Sequence, residues 1–321
     1  MTRLVDINEA VAAAPAGALL IDRGSLGLLK FTGATRQDLI HRMSTQVVNG
    51  LTAGQGTATI LTSDIARMID RLRLYVGEDF VYAITGEQNS DAIARYLMRF
   101  VFFNDDFHIA DLSAATAVLG VYGGGARPGL ARALGIDPDW PLHHWRPLTW
   151  QGTTLSLHRT DPVAGDGYLL LCPAGSQSAL WQALVEGGLL PAGEDAFDYL
   201  RIAAGQPRFG REITSDYIPL EANLWADVSF AKGCYIGQEI IARMESRGRL
   251  AKRLVRLRPH APVTAGSEIV AGDRPAGVIT SAMDGPLGPV ALGYIKTAIL
   301  AAEEPAALTS DGIPLTLLAG D

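Results

Sequence analysis

Cysteine is nearly absent from this sequence of 321 residues: Cys172 and Cys234 are the only two. Two thiols without a CxxC pair exclude a disulfide framework, and they cannot by themselves hold an iron–sulfur cluster within one chain. Such cysteine usage points to a reducing cytoplasm. Long apolar runs are missing too. No stretch of about 18 apolar residues occurs, so no membrane span is expected. The Ala-rich segment Val11–Leu20 is broken by Pro15 and Gly17 and does not resemble a signal peptide. Positive charge is in short supply: 27 Lys and Arg against 34 Asp and Glu leave a formal net charge of −7. A surface of that sign does not attract polyanions, so direct nucleic-acid binding is not expected.

What is present is a globular balance. Apolar residues make up 48% and charged residues 19%, enough to bury a core rather than remain disordered, and the length allows two or more domains. Leu39, Ile40 and Met43 fall at helical spacing behind Thr35. Asp70 to Val76 alternates, with Leu72, Leu74 and Val76 on one face and Arg71, Arg73 and Tyr75 on the other. The turn Gly77-Glu78-Asp79 leads into a second strand, Phe80 to Thr85. Ser90 can cap a helix bearing Ile93, Leu97 and Val101, and a strand over Phe107 to Leu112 completes an α+β unit. Arg127 to Pro147, rich in Pro, Gly and aromatics, reads as a connection. Strands near Leu155 and over Tyr168 to Cys172 follow, then a helix from Ser176 to Glu186. A further helix, Asp195 to Ala204, stops at Gly205 ahead of Pro207. Short apolar runs from Leu250 to Asp321, separated by glycine-containing turns, predict a small antiparallel β-barrel or sandwich. The expected units are therefore 1–126, 127–249 and 250–321.

The segment with the most chemistry is Lys232-Gly233-Cys234-Tyr235-Ile236-Gly237-Gln238-Glu239. Gly233 and Gly237 allow tight turns and close approach of a ligand. Gly237-Gln238-Glu239 is expected to open a helix with Ile240, Ile241 and Met244 inward. Cys234 then lies just ahead of a helix N-terminus, with Lys232 two residues away, a placement that favours a thiolate. Gln238 and Glu239 offer amide and carboxylate groups suited to a heterocycle. Cys172 ends the apolar run Leu169-Leu170-Leu171 and reads as core.

That eight-residue segment resembles the signature of the YgfZ-type folate-binding proteins, which are related to the aminomethyltransferase, or T-protein, of glycine cleavage. Arg201 to Gly210 resembles the family's helix and turn leading to the site, and Ile218 to Leu224 its pre-motif segment. The similarity is strong over about 195–297. It implies α+β subdomains around a central folate site followed by a C-terminal β-barrel. It also implies tetrahydrofolate as the ligand and a role in assembling or repairing iron–sulfur enzymes, including ones that modify tRNA. Cys234 is the expected reactive group. Asp70, Glu221, Lys232, Gly233, Tyr235, Gly237, Gln238, Glu239 and Arg243 are the expected folate contacts, with Glu221 suited to the donor edge of a pterin. In T-protein relatives an aspartate pair positions the folate; here Asp70 is followed by Arg71, which argues against classical aminomethyl transfer. That transfer remains an alternative, as does a non-catalytic scaffold.

From Arg243 to Arg258 seven Arg or Lys accompany one Glu. This strip suits a folate glutamate tail, RNA or an acidic partner, and without interleaved aromatics nucleic acid ranks below the glutamate tail. Gly123 to Gly129 lacks the ending of a phosphate loop and reads as a flexible connection. His143-His144 shows no third ligand, and no metal site is expected.

Overall fold

The computed structural model describes residues 3–248, 250–302 and 306–318. Arg249, the Arg247 side chain and the expected barrel end at Asp321 lie outside what is described.

The chain opens with α1 (Ile7–Ala13), capped by Asp6, whose carboxylate accepts the N–H groups of Asn8 and Glu9. β1 (Leu19–Asp22) and β2 (Leu26–Thr32) follow and enter different sheets. In α2 (Arg36–Met43), Leu39, Ile40 and Met43 are buried as their spacing predicts. Thr35 points its hydroxyl at the Asp106 carbonyl rather than at a helix N–H. Next come β3 (Gly56–Thr62), β4 (Met68–Val76), β5 (Phe80–Glu87), α3 (Ser90–Met98) and β6 (His108–Asp111). The predicted hairpin, helix and strand are all present. Asn89 rather than Ser90 holds the cap position, and Val101 falls beyond the helix. These strands form a five-stranded sheet in the order β3-β4-β5-β2-β6.

β7 (Thr116–Gly123) then leads into α4 (Ala126–Leu134). The expected connection over 127–147 is corrected here, because its first part is helical. Pro128 sits in the first turn, where a backbone N–H has no partner within the helix, so the ring is tolerated. β8 (Trp145–Trp150), β9 (Thr153–Arg159), β10 (Asp166–Pro173), α5 (Gln177–Glu186), β11 (Leu190–Ala192) and α6 (Glu194–Ala203) follow. The second sheet has six strands in the order β11-β1-β7-β10-β9-β8. A cut at residue 126 runs through this sheet, since β7 pairs along its length with β10.

The two sheets pack face to face. Leu28, Tyr75 and Ile84 of the first meet Leu19, Ile21, Val118, Leu169 and Leu171 of the second. α2 and α3 cover the outer face of the first sheet, and α4 and α5 that of the second. The face of β4 bearing Arg71, Arg73 and Tyr75 therefore lies between sheets, not in water, and Tyr75 is fully buried. After α7 (Gln238–Arg247), the strands β12 (Lys252–Pro259), β13 (Glu268–Ala271), β14 (Arg274–Met283), β15 (Val290–Lys296), β16 (Leu308–Ser310) and β17 (Ile313–Leu317) close an antiparallel barrel, with the short α8 (Thr297–Leu300) between β15 and β16. α6 ties the barrel to the sandwich: the Tyr199 hydroxyl donates to the Gly288 carbonyl, and Arg201 donates to the Ser281 hydroxyl. No helix among the described residues is long and apolar enough to cross a membrane.

Candidate functional site

The segment 232–239 is held in place by the first sheet. The Lys232 ammonium donates to the carbonyls of His41, Ser44 and Gln46 at 2.6, 2.7 and 2.9 Å. These lie at and just past the C-terminal end of α2, where carbonyls lack helical partners and the dipole favours a cation. All three ammonium donors are thereby committed within the protein. Burial pulls the Lys232 pKa down to about 8. Four residues on, the Thr62 hydroxyl donates to the Ile236 carbonyl at 2.6 Å. Gly237 has φ +82°, and an added Cβ would lie 2.7 Å from the Ser63 carbonyl oxygen. Only glycine fits there. It sits at the cap of α7, whose Ile241 is fully buried while Ile240 and Met244 pack at the edge of the same core.

Gly233, by contrast, has open space around it. Cys234 is exposed four residues before α7, whereas Cys172 is buried. Tyr235 is buried, its phenol pushed up to about 12 by desolvation. Gln238 is half-buried, and Glu239 and Arg243 are exposed. Cys234, Gln238, Glu239 and Arg243 thus face outward around a loop whose Lys232, Tyr235 and Gly237 anchor it.

Glu221 lies between this loop and the barrel. Its backbone carbonyl accepts the Leu254 N–H, and its carboxylate turns back onto the Ile218 N–H, 3.9 Å from the Arg67 guanidinium. Desolvation raises its pKa. Arg67 belongs to the β3–β4 turn, against which Gly237 also packs. Three residues further along the chain is Asp70, which is completely buried. It accepts N–H bonds from Gly86, Asn89 and Arg71 at 2.7 to 2.9 Å, which favours the charged form. Burial outweighs those bonds and raises the pKa to about 6.

Asp70 sits at one end of the space between the sheets, in a cleft that sequence reasoning did not foresee. Arg71 makes a two-pronged contact with Asp161 at 2.7 and 2.9 Å and also reaches Asp227 at 2.5 Å. Arg73 shares Asp161 at 2.7 Å. The far wall comes from α6 and the turn after it. Arg208 bridges Glu87, Glu194 and Asp198, and Arg201 pairs with Glu212 in full burial. The one available signal was the alternation of arginines on β4, which marks a buried polar face once a second sheet covers it. The cleft has a volume of about 40 Å³. Phe209 closes it, its ring packed on Gly86 where a Cβ would collide at 2.3 Å. No group of three or more His, Cys, Asp or Glu side chains suited to a metal ion occurs among the described residues.

Two family profiles match the chain: the GCVT N-terminal domain over residues 5–232 and the CAF17 C-terminal beta-barrel domain over 252–319. A chloroplastic protein of Arabidopsis thaliana, named as a candidate transferase, is 28% identical over 292 residues, covering 90% of this chain and 68% of its own. The aminomethyltransferase of Halalkalibacterium halodurans is 28% identical over 291 residues, covering 87% of this chain and 78% of its own. The crystal structure of the glycine cleavage system aminomethyltransferase T from Bartonella henselae superposes with a TM-score of 0.86 at 24% identity, covering 99% of this chain and 90% of that one.

Proposed function

The chain belongs to the family defined by the GCVT N-terminal domain, and from that premise we propose that it is a tetrahydrofolate-binding accessory protein for the assembly or repair of iron–sulfur enzymes, tRNA-modifying ones among them, with Cys234 as its reactive group. The observation that carries this reading is the cleft around Asp70. Arg23, Arg71, Arg73, Arg201 and Arg208 line it together with one buried carboxyl whose pKa is raised to about 6. Arginines suit the carboxylates of a folate tail, and a carboxyl that changes charge near neutrality suits the donor edge of a pterin.

Charge therefore fits a folate. Space fits only when the turn between Gly205 and Gly210 lifts, because about 40 Å³ holds no more than a water molecule or so. Both glycines have positive φ, at +78° and +73°, and can absorb such a rearrangement. Asp70 would then meet the pterin, and the tail carboxylates would take the place of Glu87 and Glu194 on Arg208 and Arg23. Bound tetrahydrofolate supplies a reduced pterin able to carry one-carbon units. Lys232, Tyr235 and Gly237 act as the scaffold that presents Cys234, while Gly233, Gln238, Glu239, Arg243 and Glu221 remain proposed contacts.

Two features weigh against aminomethyl transfer of the glycine cleavage type. The residue after Asp70 is a cation, and its guanidinium is occupied by Asp161 and Asp227. Aminomethyltransferase relatives at 28% identity keep that activity as the second reading. Arg243, Arg253 and Arg258 are exposed and form no salt bridge among the described residues, which supports an acidic protein partner. Calorimetric titration with tetrahydrofolate tests the proposal: an absence of heat at millimolar ligand would sink it. A Cys234→Ala protein that restores cluster-enzyme activity in a deletion strain would remove the thiol from the mechanism. Turnover of an aminomethylated carrier protein would establish the second reading.

A further inference from the structure

At the other end of the space between the sheets, past the end of β4, lies a cavity of about 730 Å³. That is the size range of small-molecule sites. It shares no lining residue with the Asp70 cleft, although Leu28 of the cavity and Leu26 of the cleft stand on the same strand, β2. Its walls are Leu28, Leu171, Phe80, Tyr82 and Trp145. The three aromatic rings lie 4.5 to 6.1 Å from one another, at tilted or edge angles.

Polar groups enter this aromatic lining at chosen places. His158, fully buried, stacks on Trp145 with ring planes 8° apart and centroids at 5.3 Å. Its Nε2 lies 2.8 Å from the hydroxyl oxygen of Ser156, which lines the cavity. Its Nδ1 has no partner. Desolvation takes the His158 pKa down to about 3, so the ring is neutral at pH 7 and carries one N–H. A buried N–H without a partner is rarer than a buried bare acceptor. The proton therefore belongs on Nε2, where it is donated to Ser156, and the serine hydroxyl is left to donate its own proton into the cavity. Tyr82, whose hydroxyl has no hydrogen bond among the described residues, lines the same cavity. At the mouth stand Thr154 and Arg146.

We propose that this cavity is a binding site for a planar heteroaromatic ligand that turns a hydrogen-bond acceptor, a ring carbonyl or ring nitrogen, toward Ser156. Aromatic walls favour a flat ring. The oriented serine selects an acceptor edge over a purely hydrocarbon one. Nothing in this inference depends on folate binding at Asp70.

Lumichrome, a fluorescent tricycle with two ring carbonyls, is a suitable probe for the full-length protein. The expected result is saturable fluorescence quenching with one equivalent bound. Ser156→Ala should weaken binding about tenfold, the worth of one hydrogen bond to a buried donor. Thr154→Trp, which fills the mouth from an exposed strand position, should weaken it more. Tetrahydrofolate should not displace the probe. Unsaturable quenching in the wild type, equal affinity in both variants with unchanged melting temperatures, or stoichiometric displacement by tetrahydrofolate would each overturn the proposal.

Discussion

The two ends of the same intersheet space have been filled in opposite ways. Around Asp70, charged groups crowd a volume of about 40 Å³ and neutralise one another. Beyond the far end of β4, aromatic rings leave about 730 Å³ open, and the charged residues that line it, Glu78, Asp79 and Arg146, are all exposed. A buried charge must keep its partner close, so ion pairs draw the walls together. Aromatic rings packed at tilted angles make no such demand and leave room between them. The charged end should therefore carry more of the stability, and the aromatic end more of the tolerance.

The largest test of that contrast is Glu212→Ala. Glu212 is fully buried and accepts from Arg201, the Arg208 N–H and the hydroxyls of Thr280 and Ser281. Its removal strands a buried guanidinium and should cost about 3–5 kcal/mol in urea unfolding. A loss under about 1 kcal/mol would break the comparison. Asp161→Asn comes next. It frees Arg73, leaves Arg71 with Asp227 alone, and should cost about 3 kcal/mol in the same unfolding measurement.

Smaller is the pH term of Asp70. Its folded pKa lies above its unfolded value, at about 6 against 3.8, so the fold is penalised when this carboxyl ionises. The penalty is fully present above about pH 6, relieved as the pH falls toward 4, and worth about 3 kcal/mol at most. Stability of the wild type minus that of Asp70→Asn should therefore rise from pH 7 to pH 4, and a flat difference would count against it. The smallest effect belongs to the aromatic end. Tyr82→Leu, at a half-buried ring facing open space, should move stability by under about 1.5 kcal/mol.

Local periodicity made much of the fold legible. Leu39, Ile40 and Met43, the Asp70–Val76 alternation and the glycine-spaced barrel runs each encode an element whose pattern does not depend on distant chain. The charged cleft was not legible, because Arg71 and Asp161 meet across two sheets and no spacing records that meeting. α4 was hidden by Pro128, a residue that breaks helices everywhere except in the first turn, where it stands. In the site, Gly237 was readable from its need for a left-handed turn. Lys232 was not: beside a cysteine it reads as an electrostatic helper, and only tertiary structure commits it to three carbonyls.

That tether also has a consequence in time. Lys232 joins residues 186 to 191 positions earlier in the chain. Its three acceptors exist as a set only once α2 has ended and β3 has turned back beside it. On a ribosome, the first sheet will have had many seconds to form before residue 232 emerges, at roughly 5–20 residues per second. The exposed thiol of Cys234 therefore emerges onto a platform already built, ahead of the barrel, and a chain that stalls before residue 232 never presents it.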